Sequence, residues 1–266
     1  MLHTSIRSLR DGLLSLAYPS QCRLCANTIE SWDDGPTCAE CWADPATTVL
    51  LWDKPICEKC GLPLSPLPPP SNHLPDISAE SNSIQQRTCG TCMELPLDRI
   101  RSVGLYRGTL EANVLFLKSK PHICRRLFDL MKSTCAQSAS ELSGDLIVPV
   151  PLHPSRRRER GFNQAAIIAR SLSKIMNLPI AENVLKRIKP TERHRAGMDA
   201  FDRSKSIAGA FDISKPNNIE GRRILLVDDL CTTGSTLGEA AQILRESGAA
   251  KVSAFTLARA AIGAQR

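Results

Sequence analysis

The stretch that decides the fold is residues 224–236, ILLVDDLCTTGST. Four apolar residues run directly into two carboxylates, Asp228 and Asp229, and then into hydroxyl residues around Gly234. The apolar run predicts a buried strand, and STLGEAAQILRES after it predicts a helix that ends before Gly248. Open α/β sheets bind ligands at the carboxyl ends of their strands, so the acidic pair is expected at a binding site.

The hydroxyl residues after the acidic pair predict a phosphate site. Backbone N–H groups at a helix N-terminus converge on one point and favour an anion. Gly234 permits close backbone approach or a positive φ. The side-chain donors are Thr232, Thr233, Ser235 and Thr236. Carboxylates beside a phosphate suit a ribose 5-phosphate, because they accept hydrogen bonds from sugar hydroxyls and attract a hydrated magnesium ion.

Three other classes of site share part of this pattern. Phosphorelay receivers and the second magnesium motif of NTPases also place acidic pairs after strands, but no hydroxyl-rich loop follows there at once. No GxxxxGK[ST] motif occurs in the chain, which counts against an NTPase. A simple helix cap needs one hydroxyl residue, and this stretch has four.

The flanking sequence alternates between strand and helix patterns. RSVGLYRG, DLIVPVPLH and KVSAFTLAR predict strands, and FNQAAIIARSLSKIMN has apolar residues at helical spacing. Two further helical stretches lie on either side of Pro121. Alternation of this kind predicts an α/β fold, a mainly parallel sheet with helices on both faces.

The N-terminal part of the chain carries a separate signal for metal. Eight of the eleven cysteines form four CxxC pairs: Cys22/Cys25, Cys38/Cys41, Cys57/Cys60 and Cys89/Cys92. Eight thiolates suit two tetrahedral zinc sites with a structural role. The simplest assignment gives the first two pairs to one zinc ion and the last two to the other. Interleaved pairs, or a single site with a redundant pair, are equally compatible with the sequence.

The cysteine distribution also divides the chain. All paired cysteines precede residue 93, so we predict a zinc module over 1–97 and an α/β domain over 98–266. The module is expected to begin with an amphipathic helix over 4–17. Its Pro- and Ser-rich segment over about 62–87 is expected to be a disordered insertion, because it has too few apolar residues to fold.

Charge and hydropathy indicate which partners the protein has and in which compartment it is found. The formal net charge of +7 favours phosphorylated partners, either nucleotides or nucleic acid. Aromatic residues make up only 4% of the chain, so stacking platforms for single strands are scarce. No apolar run is long enough for a membrane span, and no export signal is evident, so a reducing cytoplasm is expected.

Three motifs resemble a known family. ILLVDDLCTTGST resembles the ribose-phosphate signature of type I phosphoribosyltransferases. VPVPLHPSRRRERGFNQA (148–165) and RAGMDAFDRSKSIAGAF (195–211) resemble more narrowly the ComF family of competence-associated, phosphoribosyltransferase-like proteins. The CxxC-rich N-terminus is similar to that family as well.

This resemblance implies a parallel five-stranded core with a small hood, and 5-phosphoribosyl 1-pyrophosphate (PRPP) with magnesium as the ligand. Asp228 and Asp229 would hold the ribose hydroxyls as the catalytic pair, and residues 232–236 would hold the 5-phosphate. Residues 153–164 would form a pyrophosphate loop, and residues 187–199, with an exposed His194, a mobile cover. The loop's candidate cations are Arg156, Arg157, Arg158 and Arg160; a solvated basic loop or a nucleic-acid patch is an equally good interpretation of each.

The leading hypothesis is a PRPP-binding protein, active or degenerate, that supports DNA uptake or processing in natural transformation. The expected macromolecular partners are single-stranded DNA or proteins of the DNA-uptake machinery. One alternative is a non-enzymatic, zinc-containing adaptor that binds single-stranded DNA. Another is a nucleobase-salvage phosphoribosyltransferase.

Overall fold

The computed structural model describes residues 20–51, 55–64, 88–89, 92–190, 209–214 and 219–261. The predicted helix over 4–17 and most of the predicted insertion lie outside these residues. The helices are α1 (Ala39–Ala43), α2 (Gly108–Leu117), α3 (Arg125–Gln137), α4 (Pro154–Arg160), α5 (Gln164–Met176) and α6 (Ser235–Glu246). The strands are β1 (Ile100–Leu105), β2 (Leu146–Pro149), β3 (Leu185–Arg187), β4 (Phe211–Ile213), β5 (Arg223–Cys231) and β6 (Lys251–Arg259).

The predicted parallel sheet is confirmed. Four strands pair in the order β1-β6-β5-β2, and every pairing is parallel. Leu226 of β5 lies opposite Val148 on one side and Ala254 on the other, so β5 is a central strand. The strand that carries the acidic pair is therefore held by hydrogen bonds on both edges.

Helices cover both faces of the sheet, because successive side chains of each strand point to opposite faces. Ile224 and Leu226 pack with the apolar stripe of α6 on one face. Leu225 and Val227 pack on the other face with apolar residues of α2, α3 and α5. Both layers are buried, which is why the central strands contain nearly continuous apolar runs.

The fifth strand of the expected core is reduced to one bridge in the described residues. Ile180 pairs in parallel with Ile147 of β2 at a single position. The Ile147 N–H donates to the Pro179 carbonyl over 2.9 Å, and the Ala181 N–H donates back to the Ile147 carbonyl over 2.9 Å. Pro179 has no N–H to extend the ladder, so pairing stops there.

A short antiparallel ribbon, β3 with β4, lies beside the sheet. Leu185 and Phe211 of this ribbon join the apolar core on the α6 face. The Arg187 guanidinium lies 5.1 Å from the centre of the Phe211 ring. The cover predicted over 187–199 begins in this ribbon, and its residues from 191 onward, with His194, lie outside the described residues.

The segment after the first cysteine pairs covers the outer edge of β1. Leu50 forms an antiparallel bridge with Gly104, and the Leu105 N–H donates to the Val49 carbonyl over 2.8 Å. A Cβ at Gly104 would lie 2.3 Å from the Val49 oxygen, so only glycine allows this approach. The zinc module is thus joined to the sheet by backbone contacts, and the boundary after residue 97 stays a prediction.

Candidate functional site

The eight paired cysteines form two groups of four. We call Cys22, Cys25, Cys38 and Cys41 the first cysteine group, and Cys57, Cys60, Cys89 and Cys92 the second cysteine group. Within each group all Sγ atoms lie within 4.8 Å of one another. This is the sequential assignment, and interleaved pairs do not occur among the described residues.

The spacing of the sulfur atoms fits zinc. Cys25 and Cys38 are 3.6 Å apart at Sγ, and Cys57 and Cys92 are 3.5 Å apart. A tetrahedron with Zn–S bonds of about 2.3 Å has edges of about 3.8 Å, so little adjustment is needed to hold an ion.

Backbone groups favour a thiolate in the second cysteine group. Burial acts to raise the pKa of Cys57, but the N–H groups of Cys60 and Cys89 donate to its sulfur and hold that pKa at about 6. Such N–H donors orient and stabilise a metal-bound thiolate. The donors and the geometry therefore support a structural zinc ion.

The acidic pair lies at the carboxyl end of β5. Asp229 is only 6% exposed and Asp228 is half-buried. Burial, and next the neighbouring Asp229 carboxylate, raise the pKa of Asp228 well above its ordinary value. Two carboxylates confined in this way favour a cation or a hydroxyl donor that joins them.

Three residues around the acidic pair were not anticipated from the sequence. Lys118 Nζ, just after α2, lies 3.7 Å from Asp229 Oδ2. Gln164 Nε2 donates to the same oxygen over 3.4 Å. Burial raises the pKa of Tyr106, and the Glu111 and Asp229 carboxylates contribute to the same shift. Gln164 is the last residue of the expected pyrophosphate loop over 153–164, but a contact with the acidic pair was not predicted for it, and Lys118 belongs to no motif.

The hydroxyl loop, residues 232–236, connects β5 to α6. Gly234 has φ +87° and immediately precedes α6. The Thr233 and Ser235 hydroxyls are 2.7 Å apart, and the Ser235 N–H donates to Thr233 Oγ1 over 3.3 Å. The first-turn N–H groups of α6 have no acceptor within the helix, so this turn presents donors together with hydroxyls. The predicted phosphate residues are thus brought together next to the acidic pair.

The arginine-rich segment is a helix rather than the expected loop. Pro154 starts α4 at the first helical position, and Gly161, with φ +83°, ends it before α5. Asn163 caps α5 through its Oδ1 and donates from Nδ2 to the Val150 carbonyl over 3.0 Å. These capping residues explain why a run of four arginines in seven residues is ordered.

Helical spacing separates the four arginines into two pairs. Arg160 Nη1 donates to Gln164 Oε1 over 2.6 Å, and Gln164 in turn contacts the acidic pair. Arg156 is close enough to Arg187 to lower its pKa, although burial is the larger cause and Asp228 opposes it. Arg156 and Arg160 are half-buried, whereas the other two are exposed. Residues four apart share a helix face, so only one pair is directed towards the acidic site.

The exposed pair lines a cleft of about 1040 Å³ between α4 and the ribbon strand β3. Its basic side chains are Arg157, Arg158, Lys186 and Arg187, and Glu182 is also present. The acidic pair and the hydroxyl loop are not part of its lining. Arg187 connects the two regions, because it lines the cleft and also opposes the rise in the pKa of Asp228.

No helix in the described ranges is long and apolar enough to cross a membrane.

Comparison with known families agrees with this architecture. Residues 158–266 match the profile described as a phosphoribosyl transferase domain, and residues 13–93 match a double zinc ribbon domain. The fold and the site therefore define a phosphoribosyltransferase-domain protein with an N-terminal zinc ribbon.

Three relatives narrow the class. Competence protein F of Haemophilus influenzae is 40% identical over 180 residues, which cover 65% of this chain and 78% of that protein. DNA utilization protein YhgH of Escherichia coli is 30% identical over 252 residues, 92% of this chain and 99% of that protein. Competence protein ComFC of Bacillus subtilis is 30% identical over 227 residues, 80% and 88% of the two chains. The chain belongs to the ComF family.

Proposed function

We propose that this protein binds PRPP, or a closely related ribose phosphate, together with magnesium. The observation that carries the proposal is the junction of the acidic pair, buried Asp229 and half-buried Asp228, with the hydroxyl loop at the N-terminus of α6. Asp228 is held with a raised pKa by burial and by its neighbour, so a partner that supplies positive charge or hydroxyl donors is favoured there. A few residues further on, the chain presents N–H and hydroxyl donors for an anion.

The two halves of the site suit the two ends of one ligand. The 5-phosphate would accept hydrogen bonds from the loop residues 232–236, and the ribose hydroxyls would donate to Asp228 and Asp229. Hydrogen bonds to charged groups contribute about 1.5–3 kcal/mol each, so the carboxylates would supply much of the affinity. Magnesium, held through oxygen ligands, would neutralise the pyrophosphate and assist its departure.

The chain's own cations complete the proposed site. Arg156 and Arg160 lie on the helix face directed towards the acidic pair, and Lys118 lies beside Asp229. Guanidinium groups match the geometry of phosphate oxygens, so these arginines would hold the pyrophosphate while negative charge develops on it.

We infer that the cellular role lies in DNA uptake or DNA utilization. The relatives reported above are named competence proteins and DNA utilization proteins, and the similarity to YhgH of E. coli extends over 92% of this chain. The expected compartment is the cytoplasm, in keeping with two reduced cysteine groups.

Calorimetry of the zinc-loaded protein with PRPP and magnesium tests the binding proposal. We expect saturable binding by the wild type and by Asp129→Asn, a matched change on an exposed position of α3. The double variant Asp228→Asn/Asp229→Asn should lose at least about 3 kcal/mol of binding free energy, since two charge-assisted contacts are removed. A folded wild type that does not bind, or a double variant that binds as well as the control, would refute the proposal.

A second candidate function, binding of single-stranded DNA, is favoured by the basic cleft beside α4. Charge reversal of Arg157 and Arg158 should weaken DNA binding and reduce the salt dependence of that binding. Arg125→Glu, at an exposed position of α3, should do neither. Unchanged DNA affinity after the reversal would exclude the cleft as the contact surface. Release of pyrophosphate that depends on an added nucleobase would instead identify a salvage enzyme.

A further inference from the structure

The two cysteine groups have different relations to the ligand site. Cys22, Cys38 and Cys41 of the first cysteine group form a small cluster of their own with Ile29. In the second cysteine group, Cys57, Cys60 and Cys92 belong to the apolar core of the sheet domain. That core also contains Cys231, which precedes the hydroxyl loop, and Leu237, which follows it.

One contact between the second cysteine group and the loop is apolar. The Leu95 N–H donates to the Cys92 carbonyl over 3.1 Å, so Leu95 is tied to the last cysteine of the group. A Cβ at Gly234 would lie 2.9 Å from Leu95 Cδ1, and one at Gly238 would lie 3.0 Å from Leu95 Cδ2. The Leu95 side chain therefore lies directly against the loop and the first turn of α6.

A second contact is made by a buried arginine. Arg259, at the end of β6, is 2% exposed. Its Nη1 donates to the Cys231 carbonyl over 3.0 Å and to the Thr232 carbonyl, and it lies 3.1 Å from Cys231 Sγ. These carbonyls belong to the residues where β5 turns into the hydroxyl loop. The buried guanidinium therefore fixes the start of the loop through hydrogen bonds to its backbone carbonyls.

The charge of Arg259 requires an anion, because an unpaired buried charge is costly. No ion pair to a carboxylate is formed by Arg259 in the part of the chain that the structure describes, and its Nε has no acceptor there. The Cys231 sulfur lies 3.1 Å from this guanidinium, and Cys231 packs in one apolar core with Cys57, Cys60 and Cys92 of the second cysteine group. A zinc ion with four thiolate ligands carries a net negative charge, which suits this guanidinium.

We propose that the second cysteine group, with its zinc ion, fixes the conformation of the hydroxyl loop, and that Leu95 and Arg259 are the positioning residues that connect them. The first cysteine group has no such role. What the loop binds rests on the proposed function, but the connection itself does not. Ribose-phosphate binding then depends on one zinc ion of the two.

Hydrogen exchange of the full-length, ligand-free protein tests the connection without any ligand. Cys57→Ser/Cys60→Ser should release one of two zinc ions and speed amide exchange over 232–238 at least about tenfold, with exchange in α5 as the internal reference. Cys22→Ser/Cys25→Ser should also release one zinc ion but leave exchange of the loop unchanged. Equal effects of the two variants on the loop, or none, would overturn the proposal.

A cysteine variant that does not fold would leave the exchange experiment without a result. Variants of the two positioning residues, which retain both zinc ions, test the same connection. Leu95→Ala and Arg259→Met should keep two zinc ions, speed exchange of the loop and weaken PRPP binding about tenfold. Arg259→Lys should restore part of the loop's protection, because it returns the buried positive charge. Leu130→Ala, at a half-buried position of α3, is the control.

The two proposals fail in different ways. If the wild type does not bind PRPP while the exchange pattern follows expectation, the proposed function is wrong and the positioning role stands. If PRPP binds but Leu95→Ala and Arg259→Met exchange like Leu130→Ala, the positioning role is wrong.

Discussion

Replacement of Gly234 by alanine is the sharpest test of the geometry of the hydroxyl loop. Gly234 has φ +87°, and a new Cβ would lie 2.9 Å from Leu95 Cδ1. The left-handed conformation costs a residue with a Cβ about 1–2 kcal/mol. The overlap with Leu95 adds about 1 kcal/mol, at the low end of overpacking costs, because Leu95 is half-buried and its end can move. Gly234→Ala should therefore reduce the free energy of unfolding by about 2–3 kcal/mol.

Gly221→Ala is the matched control for the backbone. Gly221 also has a positive φ, +67°, but a Cβ there would meet nothing within 4 Å. Gly221→Ala should reduce the free energy of unfolding only by the cost of the left-handed backbone conformation, about 1–2 kcal/mol. Both substitutions replace glycine by alanine, so they restrict the unfolded chain equally. The difference between the two variants therefore isolates the contact with Leu95.

Urea unfolding of the zinc-loaded protein, followed by circular dichroism, measures these free energies. A double-mutant cycle with Leu95→Ala should remove the extra cost at Gly234 and leave the cost at Gly221 unchanged. The loop shift should also weaken PRPP binding in Gly234→Ala and not in Gly221→Ala. If both alanine variants lose equal stability, or Leu95→Ala restores nothing, the loop is not packed as described.

Three further predictions concern other parts of the molecule. Gly104→Ala should cost at least about 3 kcal/mol in urea unfolding, because its Cβ would meet the Val49 carbonyl at 2.3 Å, whereas Gly144→Ala, at 3.3 Å from its nearest atom, should cost clearly less. Burial raises the pKa of Cys135 to about 12, so the unfolded chain loses this proton first. The free energy of unfolding should thus fall as pH rises above about 9, by up to about 1.4 kcal/mol per pH unit. Cys135→Ala should reduce this slope, and equal slopes in the two proteins would contradict the burial of the Cys135 thiol. Asp228→Asn should stabilise the ligand-free protein by about 1 kcal/mol at pH 7, because the raised pKa makes the ionised carboxylate unfavourable in the folded state. The same variant should lose PRPP binding, and a less stable variant would show that the carboxylate is compensated in the free protein.

Local pattern was sufficient for the elements that make up the candidate site. The strand, the acidic pair, the hydroxyl loop and α6 are consecutive in the chain, so their order predicts their contacts once the strand is recognised. Each CxxC pair is likewise a local knuckle. The parallel sheet with helices on both faces followed from the alternation of strand and helix patterns.

Tertiary structure decided every relation between residues far apart in the chain. Lys118, just after α2, and Gln164, at the start of α5, reach Asp229 from distant parts of the chain, and no sequence motif links them. The grouping of the cysteines required the folded module, because all CxxC pairs are alike in sequence. The basic run became the helix α4 because Pro154 and Gly161 delimit it, and its periodicity then separated the arginines.

The position of the second cysteine group shows the same division most clearly. The spacing of its cysteines in the sequence predicts a zinc site. Leu95 and Arg259 are each more than 20 residues away from the hydroxyl loop in the sequence, and only the fold brings them into contact with it. The CxxC spacing and the secondary-structure propensities depend on neighbouring residues. The sequence by itself therefore determined the candidate zinc ligands and the strands and helices of the site. Packing and buried charge depend on what the sheet brings together, so only the tertiary structure decided which of the two zinc sites contacts the proposed ligand site.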